Sequence, residues 1–271
     1  MSAEVIKIEN KSEIVSFKEW INKNNPEPET EEKGINPGID AETRWAWPIK
    51  DENDVAKCIF HLRGMVECAY RKDTWLAAWR NWLLFIIGIN VGLRVSDLTA
   101  LQWKHFFEPD MKTFIDTRNK KEKKTGKMKD ISPNDNMKNA ILNYLKETGI
   151  QPEYNDFVFL NSRTGKQITD SAVEKMIKNV TRSVGLKGNY STHTLRKTYA
   201  WRKYMTYVNN GDPAALIKIQ QDLNHATSAK TATYLGITRE EKIRSSYALG
   251  EMYEKLLGED WVNKTDFPVE T

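Results

Sequence analysis

The sequence predicts a mainly α-helical chain carrying one small antiparallel β-sheet, an α+β fold. Apolar residues recur at helical spacing on both sides of a short central segment. Within that segment, between Gln102 and Ile131, the pattern breaks into short strand-like pieces with a Thr125-Gly126 turn. The length of 271 residues, with 39% hydrophobic and 29% charged side chains, suits a folded domain with its own core.

The first 47 residues read as an acidic arm and linker. Val5, Ile6, Ile8, Ile14, Val15, Phe17, Trp20 and Ile21 supply a short strand and helix, and PEPETEEKGINPG follows as the linker. A helix is expected from Asp51 to Arg71, and Asp73 is the expected N-cap of a second. Trp75, Trp79, Trp82 and Ile86 form one apolar face of that second helix, and aromatics at this spacing are assigned to packing. Gly92 is expected to end it in left-handed conformation, and Ser96-Asp97-Leu98 to restart helix. Strand-like pieces follow at Thr113–Thr117 and Met128–Ile131. Helices are expected at 135–148, 169–184, 192–208, 212–223, 227–235 and 239–257. The domain expectation is an arm at 1–47, a main domain at 48–258 and an acidic tail at 259–271.

Several function classes are excluded at this stage. The best apolar run, Trp82 to Val91, falls well short of the roughly 18 residues of a membrane span. No basic region followed by an apolar one marks a secretory signal. Cys58 and Cys68 suffice for neither a disulfide framework nor a zinc site. A reduced, cytoplasmic protein is expected. The net charge of +4 is unevenly spread: residues 1–47 and 251–271 each carry −4, which leaves +12 on residues 48–250. A basic body between acidic ends suits a polyanionic partner such as nucleic acid.

Four segments carry chemistry: GLRVSDL at 92–98, KKTGK at 123–127, HTLRKT at 193–198 and NHATSAKTATYLG at 224–236. Each alone is common. Together, in this order, they resemble the tyrosine recombinase (phage integrase) family over residues 48–258. The resemblance implies the integrase catalytic-domain fold and a site-specific DNA recombinase. Arg94, Lys124, His193, Arg196, His225 and the nucleophile Tyr234 fill the family's positions, with nine residues from His225 to Tyr234 and Asp97 in the acidic position after the first arginine. Where the family commonly has Leu-Gly-His, this chain has Leu223-Asn224-His225, and asparagine also tolerates left-handed backbone. The arm is too short and too acidic for the family's N-terminal core-binding domain, so a short form is expected.

The residue types suit that chemistry. Arginines neutralise the non-bridging oxygens of a phosphodiester, which otherwise repel a nucleophile. Tyrosine, with a free pKa near 10, needs its proton removed, and His193 can accept it. Lys124 on the hairpin can return a proton to the leaving 5′ oxygen, with Lys123 and Lys127 as close rivals. Lys120, Lys121, Lys123 and Lys127 are expected to contact DNA phosphates. The product, a 3′-phosphotyrosyl bond and a free 5′-hydroxyl, conserves the ester energy, so no cofactor and no metal are expected.

The partners the family implies are double-stranded DNA with inverted-repeat core sites, and a tetramer on synapsed DNA joined through helix 239–257. An accessory or directionality protein is a further partner it admits. Two alternatives accompany this reading: a type IB topoisomerase, which typically has lysine where this chain has His193, and a catalytically idle DNA-binding accessory factor. The location expected is bacterial cytoplasm or nucleoid, on a phage or mobile element.

Overall fold

The computed structural model describes residues 45–237. The expected helix 239–257, the tail and nearly all of the arm lie outside the described residues. Two long helices in contact, α1 (Glu52–Glu67) and α2 (Lys72–Val91), open the described chain. The short α3 (Val95–Leu98) and a single 3₁₀ turn (Trp103–His105) follow. Strands β1 (Arg118–Lys121) and β2 (Met128–Ile131) form a hairpin. Five helices complete the order: α4 (Asp135–Thr148), α5 (Asp170–Ser183), α6 (Thr194–Asn209), α7 (Ala215–Asp222) and α8 (Ser228–Leu235).

Helix α2 is the spine. Its apolar content buries it on nearly every side, against α1, α4 and α6. The tryptophan face packs as expected: Trp79 and Trp82 are buried and meet edge-to-face at 5.4 Å, an arrangement aromatic quadrupoles favour. Arg63 of α1 lays its guanidinium over Trp79 at 4.1 Å. Gly92 ends α2 at φ 63°, and a Cβ there would stand 2.1 Å from the Tyr199 ring of α6. Only glycine fits both demands.

Asp51, Asn134, Thr169 and Thr227 cap α1, α4, α5 and α8, each accepting a bond from a backbone N–H of the first turn. Such caps are typically worth about 1 kcal/mol each. Two expectations at helix ends are corrected. Helix α1 stops at Glu67 rather than Arg71: the Cys68 N–H makes the last i→i−4 bond, to Gly64 O, and the Ala69 N–H turns instead to Val66 O at 3.3 Å. Asp73 does not cap α2: it lies inside the first turn, paired with Arg71 at 3.1 Å and Arg163 at 2.7 Å, and Arg71 occupies the cap position. Cys58 is buried and Cys68 exposed, both as free thiols.

The sheet differs as well. Thr113–Thr117 is not a strand: Asp110 accepts bonds from the Lys112 and Thr113 N–H groups in a tight turn, and Phe114 makes only an isolated bridge to Phe107. The partner of β2 is the polar segment Arg118–Lys121, in register Arg118↔Ile131 to Lys121↔Met128. The two-residue period turns Arg118, Lys120 and Glu122 inward and Asn119, Lys121 and Lys123 outward.

Two apolar clusters result. A large one spans Ile49 to Leu195, and a small one comprises Ala200, Ile219, Leu223 and Leu235, contributed by α6, α7 and α8. No helix among the described residues is long and apolar enough to cross a membrane.

Candidate active site

The candidate residues converge where the two apolar clusters meet. Arg94 follows the Gly92 cap and precedes α3 in extended backbone, while Arg196 projects from the first turn of α6. Arg196 is 2% exposed and its fork is held by main chain: Nη1 donates to Gly92 O at 2.7 Å and Nη2 to Leu223 O at 2.8 Å. These two bonds tie the end of α2 to the end of α7. Between the arginines stands Glu122, which the sequence reading did not single out.

Glu122 is 1% exposed, and its two carboxylate oxygens face different arginines. Oε1 accepts from Arg196 Nη1 at 3.2 Å. Oε2 lies 2.7 Å from Arg94 Nη1, an ion pair set off the axis of a good hydrogen bond. The Thr125 hydroxyl donates to Oε2 at 2.6 Å. Burial raises the Glu122 pKa, but Thr125, Arg94 and Arg196 more than offset it and hold the carboxyl below the usual glutamate value. It is ionised at neutral pH. The inward half of the strand alternation was the signal that could have found it, had the strand boundaries been known.

Tyr234 sits in the last turn of α8, whose Leu235 is wholly buried in the small cluster. Its hydroxyl is buried without a well-formed hydrogen bond. Burial pushes its pKa up to about 12, against the pull of Arg196 and then Arg94. The His225 ring meets the Tyr234 ring edge-on, with centroids 4.9 Å apart. His225 Nδ1 shares a hydrogen bond with the Thr231 hydroxyl at 3.2 Å, which fixes the imidazole against α8. Asn224, just before it, adopts φ 56°, the left-handed conformation that asparagine tolerates.

Both histidines are neutral at pH 7. Burial, then Arg196 and Arg94, lower His225 to about 4. His193, at the N-cap of α6, is lowered by burial, Arg196, Lys197, Arg94 and Lys124. Lys124 is exposed on the hairpin turn. The hairpin is anchored to α3 by Asp97, a wholly buried carboxylate whose Oδ1 accepts from the Lys123 N–H at 2.9 Å.

The lysines divide. Lys121, Lys123, Lys124 and Lys127 are exposed, whereas Lys120 is half-buried and its charge faces Asp97. A second lysine also escaped the sequence reading. Lys197 is 3% exposed, and its ammonium lies 4.9 Å from the centroid of the Tyr234 ring. Burial lowers its pKa to about 8. Among the described residues, no group of three or more His, Cys, Asp or Glu side chains is placed to hold a metal ion.

The model of the phage integrase family matches residues 69–241. Among curated relatives, the probable integrase/recombinase YoeC of Bacillus subtilis is 30% identical over 168 residues, 62% of this chain and 83% of YoeC. Tyrosine recombinase XerC of Pediococcus pentosaceus is 28% identical over 207 residues, 73% of this chain and 64% of XerC. Of solved structures, XerA recombinase matches with a TM-score of 0.51 at 21% identity, covering 78% of this chain and 64% of that one. XerH site-specific recombinase bound to palindromic difH, a post-cleavage complex, matches with a TM-score of 0.52 at 20% identity, covering 75% and 53%. These two show the fold. The chain thus spans between half and two thirds of the length of XerC and of both solved recombinases.

Proposed function

The chain belongs to the phage integrase family, and on that premise we propose that it performs site-specific DNA strand exchange with Tyr234 as nucleophile. The observation that carries the reading is the buried Tyr234 hydroxyl, lying in the joint field of Arg196 and Arg94 with His225 against its ring. A phenol at pKa about 12 is a weak nucleophile, so its proton must go to a base as the attack proceeds. His193, neutral at pH 7, is the acceptor. Arg94, Arg196 and His225 bind the non-bridging oxygens, whose charge grows as the phosphorus becomes five-coordinate.

The Tyr234 oxygen bonds to phosphorus, the bond to the 5′ oxygen breaks, and Lys124 supplies that oxygen with a proton. Religation by the 5′-hydroxyl of a second duplex gives exchange; religation by the original one restores the substrate. Asp97 acts at a distance by holding the hairpin that carries Lys124. The outward lysines, 121, 123 and 127, contact DNA phosphates. XerH is described bound to a palindromic site, and double-stranded DNA with inverted repeats is the substrate proposed here. Assembly as a tetramer through 239–257, and any directionality protein, belong to the same proposal. Inverted repeats flanking the gene would supply the test substrate.

A nicked duplex carrying those repeats should trap a denaturant-resistant protein–DNA adduct. Two such sites should then exchange strands, whereas a topoisomerase would only relax a single supercoiled circle. No adduct would leave an idle DNA-binding factor.

A further inference from the structure

We propose that Glu122 is a resident occupant of the phosphate seat, a carboxylate that holds Arg94 and Arg196 in readiness and that the scissile phosphate displaces. The inference deepens the strand-exchange reading and rests on it for the identity of the incoming anion. Three observations converge.

The first is shape. A phosphodiester presents two non-bridging oxygens, and the Glu122 carboxylate presents two oxygens, one 2.7 Å from Arg94 and the other accepting from Arg196 at 3.2 Å. The fork that suits one anion suits the other.

The second is charge. The buried Arg196 guanidinium and the partly exposed Arg94 guanidinium alone would repel one another, so a buried carboxylate between them steadies the DNA-free protein. The same carboxylate works against the reaction. A phosphodiester carries one negative charge and the five-coordinate state of attack carries two. Two arginines match two charges; two arginines with Glu122 still between them offer a net of one. Acceleration requires interactions that strengthen in the transition state, and a fixed carboxylate in the seat weakens them.

The third is the means of exit. Glu122 N–H donates to Lys127 O and Glu122 O accepts from the Gly126 N–H, both at 2.9 Å, so the main chain is already fastened in the hairpin. The carboxylate can therefore leave by a side-chain rotation that gives up the Thr125 hydroxyl as well as the arginines, without dismantling the hairpin. Lys124 lies two residues along the same turn, so entry of a phosphate exchanges an acid for substrate beside the proposed proton donor.

Inorganic phosphate is the probe, titrated into the full chain by calorimetry. An occupant reduces the apparent affinity of its competitor in proportion to the time it holds the seat. Glu122→Gln should bind phosphate at least about tenfold more tightly than the unaltered protein. Loss of the buried acid could unfold the variant in phosphate-free buffer, so thermal unfolding is followed in parallel. The midpoints of Glu122→Gln and Glu122→Ala should rise steeply with added phosphate, while that of the unaltered protein barely moves.

On DNA, Glu122→Gln should lower the half-saturating concentration for adduct formation. Phosphate binding no tighter in either variant, or variants that stay unfolded in high phosphate, would overturn the proposal. So would slower adduct formation at unchanged affinity, the mark of a fixed support for the arginines. Adduct trapping with the unaltered protein is a separate measurement. Its success alongside equal phosphate affinities would leave strand exchange standing and remove Glu122 from this role.

Discussion

Two buried charge clusters hang on the same hairpin, and they are built to opposite ends. One is Arg94, Glu122 and Arg196. The other lies across α6: the Lys129 ammonium of β2 donates to the Asp222 carboxylate and to Asp222 O at 3.0 Å, while the Tyr199 hydroxyl donates to Asp222 Oδ2 at 2.7 Å. Lys203, more exposed, reaches the Tyr199 hydroxyl at 3.0 Å and pairs with Asp222 Oδ2 at 3.4 Å. In the second cluster one carboxylate faces two lysines, the buried Lys129 and the more exposed Lys203, and the Tyr199 hydroxyl takes a further lone pair. It fastens the hairpin to α7. In the first, two arginines share the two oxygens of one buried glutamate, beside the wholly buried Asp97 carboxylate that anchors the hairpin. On the proposal above, Glu122 yields its place to an anion, whereas Asp222 keeps its own.

The sharpest way to break this contrast is to remove the arginines. Arg94→Ala and Arg196→Ala should each slow single-turnover DNA cleavage by about 10²–10³-fold, the cost of losing one donor to a developing oxyanion. The double variant should fall short of the product of the two losses if, as proposed, both act on one phosphate. Strictly multiplicative losses would separate their roles.

The Lys129–Asp222 cluster should respond in stability. Asp222→Ala leaves the buried Lys129 without its counter-charge, holding only the main-chain O of residue 222, and should cost about 3–5 kcal/mol in urea unfolding. Replacing both partners, Lys129→Met with Asp222→Leu, should recover most of that, because apolar groups need no counter-charge. Cleavage per folded molecule should stay within a few fold. A cleavage defect as large as that of Arg196→Ala would merge the two clusters into one.

Lys197 sharpens the comparison through pH. Its pKa is lowered by burial to about 8, from the ordinary 10.5. Between those values the unfolded chain holds a proton that the folded chain has released. Stability from this group therefore rises with pH across that window, and the penalty is complete below pH 8. Lys197→Met should stabilise the protein at pH 7 by about 3 kcal/mol, an advantage that fades by pH 10.5. An equal effect at both pH values would point to packing.

Much of this site was legible because its parts are local. The nine-residue interval from His225 to Tyr234 is spanned by one turn and α8, and the cap at Thr227 and stop at Gly236 are written in the chain. Gly92 and the start of α6 likewise announce where Arg94 and Arg196 stand. Glu122 was not legible, because one acid among lysines reads as part of a solvated hairpin until the strand period is known. The strand itself was misplaced for a related reason. Arg118–Lys121 has a weak β-propensity, and it is pairing with β2 that makes it a strand, whereas the better-patterned Thr113–Thr117 is bent away by Asp110. Lys129 and Asp222, 93 residues apart, could be joined only by the fold.

The smallest expected effect concerns the exposed lysines. Lys127→Ala should reduce the slope of log affinity against log salt by about one unit and leave the cleavage rate of bound DNA unchanged. A rate defect there would move the proton donor from Lys124 to Lys127.

The central claim is that Tyr234 is the atom-for-atom point of attachment. Trapping the adduct on a nicked duplex, digesting the protein and sequencing the nucleotide-bearing peptide tests it directly. The account predicts a phosphotyrosine at Tyr234, and no adduct from Tyr234→Phe although that variant binds DNA within a few fold of the unaltered protein. A nucleotide carried by Tyr247 or Tyr253, or an adduct that survives in Tyr234→Phe, would contradict it.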